Sequence, residues 1–541
     1  MAIRLSTTPP RAYLEAFRPQ LSYSPARNWM NDPNGLLYHD GAYHLFYQYN
    51  PNGDVWGDMS WGHAVSADLV HWSELPVALQ VEKDADGAIT QSFFSGSAVV
   101  DHNNSSGLGS NGQAPMVAIY TSVYPGAMTL ANGTHVRQGQ QSQSLAVSLD
   151  SGGSWTQYAG NPVLALPPAA YQDEYREFRD PKVFWYAPQA KWVMVVVLAM
   201  QHKALWYASK DLIAWEFMSE FGPVGATGGV WECPDLFELP VDGDAANSKW
   251  VLVINLNPGG PAGGSGAQYF IGQFDGQRFV ADPVVAGHGA RAGAPVVVTA
   301  QPGEHVHWLD YGADYYAAVS WNDAPDGKRV MIGWMSNWLY ARQVPTAPWR
   351  SAQSVARDVS LRSIDGQIRL IQQPVAAFAQ LRRDVLLAVA GQAVAAGVSA
   401  LAPACAGIAD IELLLDPGSA LRAGVLVHTG ANGDQTVIGY DSALGQVYVD
   451  RSGAGDASFS DIFAARHAAP VALRGGAIRL RILVDSASVT VFAGDGEAVL
   501  TSQIFPGTGS DGMALFAEGG QATVRQLTVW SLASIWAPDG A

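Results

Sequence analysis

Cysteine, long apolar runs and basic residues are all scarce in this chain, and each shortage excludes something. Only two cysteines, Cys233 and Cys405, occur in 541 residues, which rules out a disulfide framework and a Cys-rich zinc site. The longest fully apolar run, Trp192 to Met200, is far short of the roughly 20 residues that a membrane-spanning helix needs. The first ten residues contain no apolar core, so no signal peptide is visible. On that reading the protein is cytoplasmic if the chain is full-length and secreted if a signal was removed. Lysine and arginine number 31 against 48 acids, a net charge of −17. Such a surface repels nucleic acid and anionic membranes and points to a neutral ligand.

What is present is glycine (57), tryptophan (18) and tyrosine (20), with few long helical patterns, a composition of strands and tight turns. The length exceeds what one core usually serves, so two domains are expected. Three Asn-X-Ser/Thr triplets, at Asn103, Asn104 and Asn132, bear on glycosylation only in a secretory context.

From about residue 20 to 370 the chain reads as short strands between turns. Leu36–Tyr38 with Tyr43–Tyr49, Lys182–Tyr186 with Lys191–Val195, Leu236–Leu239 with Trp250–Ile254, and Tyr315–Val319 with Val330–Trp334 form hairpins. The first three are entered through Asp32-Pro33, Asp180-Pro181 and Pro234-Asp235, read here as tight turns in which proline fixes φ and Asn or Asp bonds its own backbone. Hairpins with a shared entry signature predict a β-propeller whose entry turns meet at one mouth of a central channel. Ser148-Leu149-Asp150-Ser151-Gly152-Gly153-Ser154-Trp155 fits an Asp-box turn, whose Asp and Gly serve the turn itself. A helix-like connector follows near Gln373–Asp384. Period-two strands then resume, predicting a β-sandwich. The expected division is a propeller over 20–372, a short linker over 373–384 and the sandwich over 385–535.

Cleaving a glycosidic bond with retention needs two carboxyl groups about 5–5.5 Å apart, one a nucleophile and one an acid/base. Asp32 and Glu232 stand on entry turns that the repeat brings to one mouth, and Asp180 stands on a third. Asn31 and Asn34 flank Asp32, in a turn rich in backbone donors that suits an ionised nucleophile. Glu232, between Trp231 and Cys233, is expected to be partly desolvated, as a general acid requires. Arg179 beside Asp180 is expected to keep that carboxylate charged, for holding hydroxyls. The Cys233 thiol is expected to tune Glu232.

WMNDPNG (29–35), FRDP (178–181) and WECPDLF (231–237) resemble the signature motifs of glycoside hydrolase family 32, the β-fructosidases. Phe46–Pro51, Trp56–His63, Phe93–Ser97 and Trp334–Trp338 add further matches in family order. The resemblance implies an all-β protein, a five-bladed β-propeller followed by a C-terminal β-sandwich, with no metal and no cofactor. It also implies retaining hydrolysis through a covalent fructosyl-enzyme. Carried over, Asp32 resembles the nucleophile, Glu232 the acid/base and Asp180 the transition-state stabiliser. Asn31, Gln48, Trp56, Phe94, Ser95, Arg179 and Trp334 match the pocket for the terminal fructose, with Tyr316 a further member; Trp61 and His63 read as packing residues. The expected activity is exo-β-fructosidase action on levan, inulin, fructo-oligosaccharides and sucrose. Fructosyl transfer on the same scaffold is the alternative, since it uses the same covalent intermediate. A non-catalytic fructan-binding propeller is disfavoured because all three acids are present. A sialidase is disfavoured because only Arg179 stands among the motif residues.

Overall fold

A computed structural model of the chain describes residues 13–285, 297–298, 306–401 and 407–536; Cys405 and the first ten residues lie outside it. The fold is all-β, a five-bladed propeller followed by a β-sandwich. The innermost strands of the blades are Asn28–His39, Ile89–Val100, Phe178–Tyr186, Val230–Val241 and Tyr316–Ser320. Each packs on the next, and the last returns to the first, so the five close a ring. The ring is latched where Trp349–Arg350, in the connection between strands Arg329–Trp334 and Arg357–Ile364 of the fifth blade, pairs in parallel with Asn28 and Trp29 of the first.

The acid-proline segments are not turns. They lie inside the innermost strands, where the ladder to the second strand slips. Register shifts fall between Met30 and Pro33, Phe93 and Gly96, Arg179 and Lys182, Glu232 and Asp235, and Tyr316 and Val319. All five inner strands are therefore bulged, and every bulge holds or adjoins residues singled out from the sequence. A bulge leaves a residue without a ladder partner and bends the strand, which explains why Pro33, Pro181 and Pro234 are tolerated within a sheet. Asp180 (φ +65°), Cys233 (φ +44°) and Ala317 (φ +52°) adopt the left-handed backbone inside these bulges. The polar stretch between Leu239 and Trp250 is likewise strand rather than loop. Val230–Val241 and Asp244–Asn257 meet at a two-residue turn, Asp242-Gly243, with φ of +55° and +78°, as a tight hairpin requires.

The blades occupy residues 28–374 and two six-stranded sheets lie within 382–532. Between them runs a short 3₁₀ turn, Ala376–Leu381, that buries Phe378 and Leu381. On this basis we propose 20–372 and 385–535 as the two units, with 373–384 as the connector. The sandwich sheets face each other across a core of aliphatic side chains such as Ile411, Leu413, Val425, Ile438, Leu480, Val491, Leu515 and Val529.

Two buried acids join propeller and sandwich: Asp314 through an ion pair with Arg451, and Asp310, paired with Arg357 inside the propeller, through Thr501. Asp310 accepts from Arg357 Nη2 (2.9 Å) and from the Thr501 hydroxyl and N–H (both 2.8 Å). Asp314 accepts from Arg451 Nη1 (2.7 Å), Tyr340 Oη (2.6 Å) and the Gln503 N–H (2.8 Å). Gly312 lies between them, where a Cβ would sit 2.0 Å from Thr501 O, so only glycine permits this approach. The clamped segment leads directly into Tyr316, and Tyr340 belongs to the stretch that carries Trp338 and Arg342.

Candidate active site

The bulged ends of the inner strands surround a pocket of about 230 Å³. Asn31, Asp32, Gln48, Trp56, Phe94, Ser95, Arg179, Asp180 and Glu232 all line it. Residues as far apart as Asn31 and Glu232 thus converge, because the blades contribute the same level of their first strands, with Gln48 and Trp56 added from the second strand of the first blade and the loop after it.

Asp32 is held by three side chains rather than by backbone donors. Ser95 Oγ donates to Oδ2 (2.6 Å), Asn31 Nδ2 to Oδ1 (3.0 Å) and the Cys233 thiol to Oδ2 (3.4 Å). The Trp29 indole N–H donates to Asn31 Oδ1 (2.7 Å), which turns the amide nitrogen toward the carboxylate. Burial raises the Asp32 pKa above the usual carboxylate value, the Glu232 charge adds to the rise, and the Ser95, Asn31 and Cys233 bonds oppose it. The donors expected from the backbone of a turn are thus side chains, and they act against the desolvation.

Arg179 turns away from its sequence neighbour. Its Nε and Nη2 both donate to Glu232 Oε1 (3.2 Å each), and Nη1 donates to Glu177 (2.7 Å) and Gln141 (3.3 Å). Both residues line the pocket, but the bulge between Arg179 and Lys182 and the left-handed backbone of Asp180 break the regular alternation of the strand. Asp180 instead accepts the backbone N–H of Cys233 (2.9 Å). Its pKa is pushed up to about 7 by burial; Arg179 and the Cys233 N–H pull it down, while Glu232 and Asp32 push it higher. The expectation that Arg179 keeps it charged is corrected, because burial outweighs a guanidinium engaged elsewhere.

Glu232 has a side chain 24% exposed to the pocket and bears the Arg179 fork on Oε1. The Tyr316 hydroxyl donates to its Oε2. Burial, then the Glu232 charge, holds the Tyr316 phenol well above its ordinary pKa, so it stays a donor. The Cys233 thiol is likewise held well above its ordinary value by burial and by Asp32. It touches Asp32 and Asp180 (3.7 Å), the two aspartates rather than Glu232, which corrects the expected partner.

The remaining residues divide by depth. Trp56, 39% exposed, stands at the rim with its ring edge-on to Phe94 (6.0 Å, 74°). Gln48 is anchored by donating to Phe93 O (3.0 Å). Tyr316 is fully buried behind Glu232. Trp334 is also fully buried and lies behind the wall, against Trp29, Tyr316 and Trp338; the wall residue is Trp338, joined by Arg342, Asn257 and Val230. Trp338 stood in a motif that sequence reading had marked, whereas Arg342 and Asn257 carry no local signal. Trp61 and His63 are packing residues: Trp61 donates to Phe94 O (3.0 Å), and His63 stacks on Phe46 (4.0 Å) and bonds His44 (3.0 Å). Asp150 of the Asp box bonds Ser148 and Ser154 within its own turn.

A carboxylate held by neutral donors, facing a second carboxyl group gripped by Arg and Tyr, is an arrangement for attack on one side of a bond and proton delivery on the other. Comparison with known proteins agrees. Residues 23–374 match the model of the glycosyl hydrolases family 32 N-terminal domain, and residues 387–531 that of its C-terminal domain. The chain is 44% identical to the extracellular exo-inulinase of Aspergillus ficuum over 531 residues, 97% of this chain and 96% of the relative. It is 44% identical to the levanase of Bacillus subtilis over 97% of this chain and 72% of the levanase. The crystal structure of the Aspergillus awamori exo-inulinase superposes with a TM-score of 0.91 at 43% identity, covering 97% of this chain and 100% of the other.

Proposed function

The chain belongs to glycosyl hydrolase family 32, and from that premise we propose that it is a retaining exo-β-fructosidase working through Asp32, Glu232 and Asp180. It is a glycoside hydrolase that acts on fructose-containing substrates, the fructans and sucrose. Asp32 attacks the anomeric carbon of the terminal fructosyl unit, and the bond from that carbon to the leaving oxygen breaks. Glu232 gives its proton to that oxygen, leaving a fructosyl ester on Asp32. Glu232 then takes a proton from water, whose oxygen displaces Asp32 and releases fructose. Asp180 holds ring hydroxyls, and Arg179 and Tyr316 keep Glu232 aimed at the leaving oxygen.

The observation that carries this reading is the convergence of Asp32 and Glu232 in one small pocket. At about 230 Å³ it lies below the ~300–1,000 Å³ of drug-sized ligand pockets, which suits a single sugar unit and hence removal from a chain end. Neutral hydroxyl-rich substrates also suit a chain of net charge −17; nucleic acid and anionic membranes do not. The test is a product profile on sucrose, inulin and levan, including high sucrose. Free fructose from each is expected, and a predominance of kestose-type oligomers at high sucrose overturns hydrolysis in favour of transfer.

The acid limb of the pH profile follows from the geometry. Asp32 must be ionised to attack, and its pKa is raised, so activity falls on acidification at a higher pH than an ordinary carboxylate would dictate. The Ser95 bond opposes that rise. Hydrogen bonds to charged groups contribute about 1.5–3 kcal/mol, or roughly one to two pH units at 1.36 kcal/mol each. Ser95→Ala is therefore expected to move the acid limb of kcat/KM upward by about one unit, and Cys233→Ala by less. A limb that stays in place in Ser95→Ala would show that this bond does not control the nucleophile.

A further inference from the structure

The innermost strands of the propeller have two ends, and only one of them forms the pocket just described. Five residues beyond Asp180 on the same strand stands Trp185, about 17 Å further along at 3.3 Å per residue. Glu238 lies on the strand of Glu232, and Asp323 follows the strand of Tyr316. These far ends enclose a second cavity of about 330 Å³, larger than the catalytic pocket. Between the two mouths the channel narrows to about 10 Å³ among Pro33, Ser97, Asp180 and Lys182, room for about one water. A sugar cannot pass, so the far mouth is a separate site.

Its walls combine an aromatic platform with polar groups. Trp185 is 38% exposed, and its ring stands edge-on to Trp192 (5.0 Å, 68°). Trp192 is itself pinned by donating from its indole N–H to Ser105 Oγ (2.9 Å), so the platform is pre-set. His102, Asn103 and Asp323 also line the cavity and are exposed, with Asp323 close enough to His102 and Arg329 to interact with both electrostatically. Arg329 borders them, fixed by donating to Trp321 O (2.9 Å) and seated over the Phe237 ring (5.1 Å). Single exposed tryptophans are ordinary, but one that borders a cavity with convergent polar groups fits a ligand site. Asp323 and Glu238 beside Arg329, on a chain of net charge −17, disfavour an anion. A ligand that offers apolar C–H faces to Trp185 and hydroxyls to a carboxylate, an amide and an imidazole satisfies every wall.

We propose that the far mouth of the propeller is a second carbohydrate-binding site that takes an internal stretch of a neutral fructan chain, with Trp185 as its stacking platform. The proposal rests on the fructan-degrading reading above. The catalytic pocket takes only a chain end, whereas a polymer offers many internal units to a second site. Holding one part of a chain raises the effective concentration of the rest.

Two measurements test it on the full-length chain. In the Glu232→Gln protein, calorimetric titration with a four-unit inulin-type oligosaccharide is expected to give two classes of site, and adding Trp185→Ala is expected to leave one. In the active enzyme, Trp185→Ala is expected to lower kcat/KM on long-chain inulin roughly three- to tenfold, leaving sucrose within about twofold, as loss of a tethering site predicts. Asp323→Ala is expected to shift the inulin-to-sucrose ratio the same way, and it serves if Trp185→Ala does not fold. A single class of site in Glu232→Gln, or an unmoved ratio in the folded variants, overturns the second site. A wild-type protein that releases no fructose from either substrate overturns the underlying reading instead.

Discussion

Asp32→Asn is expected to reduce fructose release by on the order of 10⁴ or more, since an amide cannot form the ester on which the two-step route depends. The folded state is expected to survive, with a melting temperature equal to or above that of the wild type. Burial and the Glu232 charge both disfavour ionised Asp32, so a neutral isostere relieves repulsion that function requires. Glu232→Gln separates the other role. On fructans it is expected to lose about 10²–10⁴ in rate, the usual contribution of general acid–base catalysis. On a fructoside whose leaving group needs no proton, the first step is expected to recover while the second stays slow. Intact mass spectrometry should then find a fructosyl adduct on Glu232→Gln and none on Asp32→Asn. An adduct on Asp32→Asn, or substantial residual turnover with it, would place the nucleophile elsewhere.

Arg451→Ala is expected to be the most damaging substitution outside the pocket. Arg451 is buried, with Nη1 on Asp314 (2.7 Å), Nη2 on Tyr340 (3.0 Å) and its guanidinium against the Phe463 ring (3.9 Å). Removing it strands the Asp314 carboxylate, fully buried, with no cation. Breaking a buried pair in this way costs about 3–5 kcal/mol, measurable by denaturant unfolding. Because the pair also tethers Tyr340, which lies between Trp338 and Arg342, KM is expected to rise more than kcat falls. Adding Asp314→Asn removes the stranded charge and is expected to restore part of the stability, giving a favourable coupling in the double-mutant cycle. A loss below about 1 kcal/mol for Arg451→Ala, in the range of surface pairs, would mean that the sandwich is not clamped through this residue.

Particular residues show where sequence reading reached and where it stopped. The three acids could be singled out because each sits in a short, unusual stretch pairing an acid with proline. That pairing is rare inside a sheet, so it marks a special backbone; the backbone turned out to be a bulge rather than a turn. Both geometries use the same local chemistry, and only the partner strand distinguishes them. The Asp box was legible for the same reason, since the bonds of Asp150 stay within its own turn, whereas Trp61 packs across to the next blade through Phe94 O and Tyr120. Arg342 and Asn257 were not, because nothing in their neighbours marks them as pocket residues.

The sequence by itself determined the all-β class, the propeller followed by a sandwich, and the candidate acids at equivalent entry points of the hairpins, because period-two patterning and proline placement are properties of short stretches. Tertiary structure alone decided the electrostatics. Arg179 adjoins Asp180 in the chain but grips Glu232, the Cys233 thiol reaches Asp32 and Asp180, and Trp338 rather than Trp334 forms the wall. Each of these depends on which face of a strand a side chain leaves and on how far burial removes it from water. Those quantities are set by blades brought together across hundreds of residues.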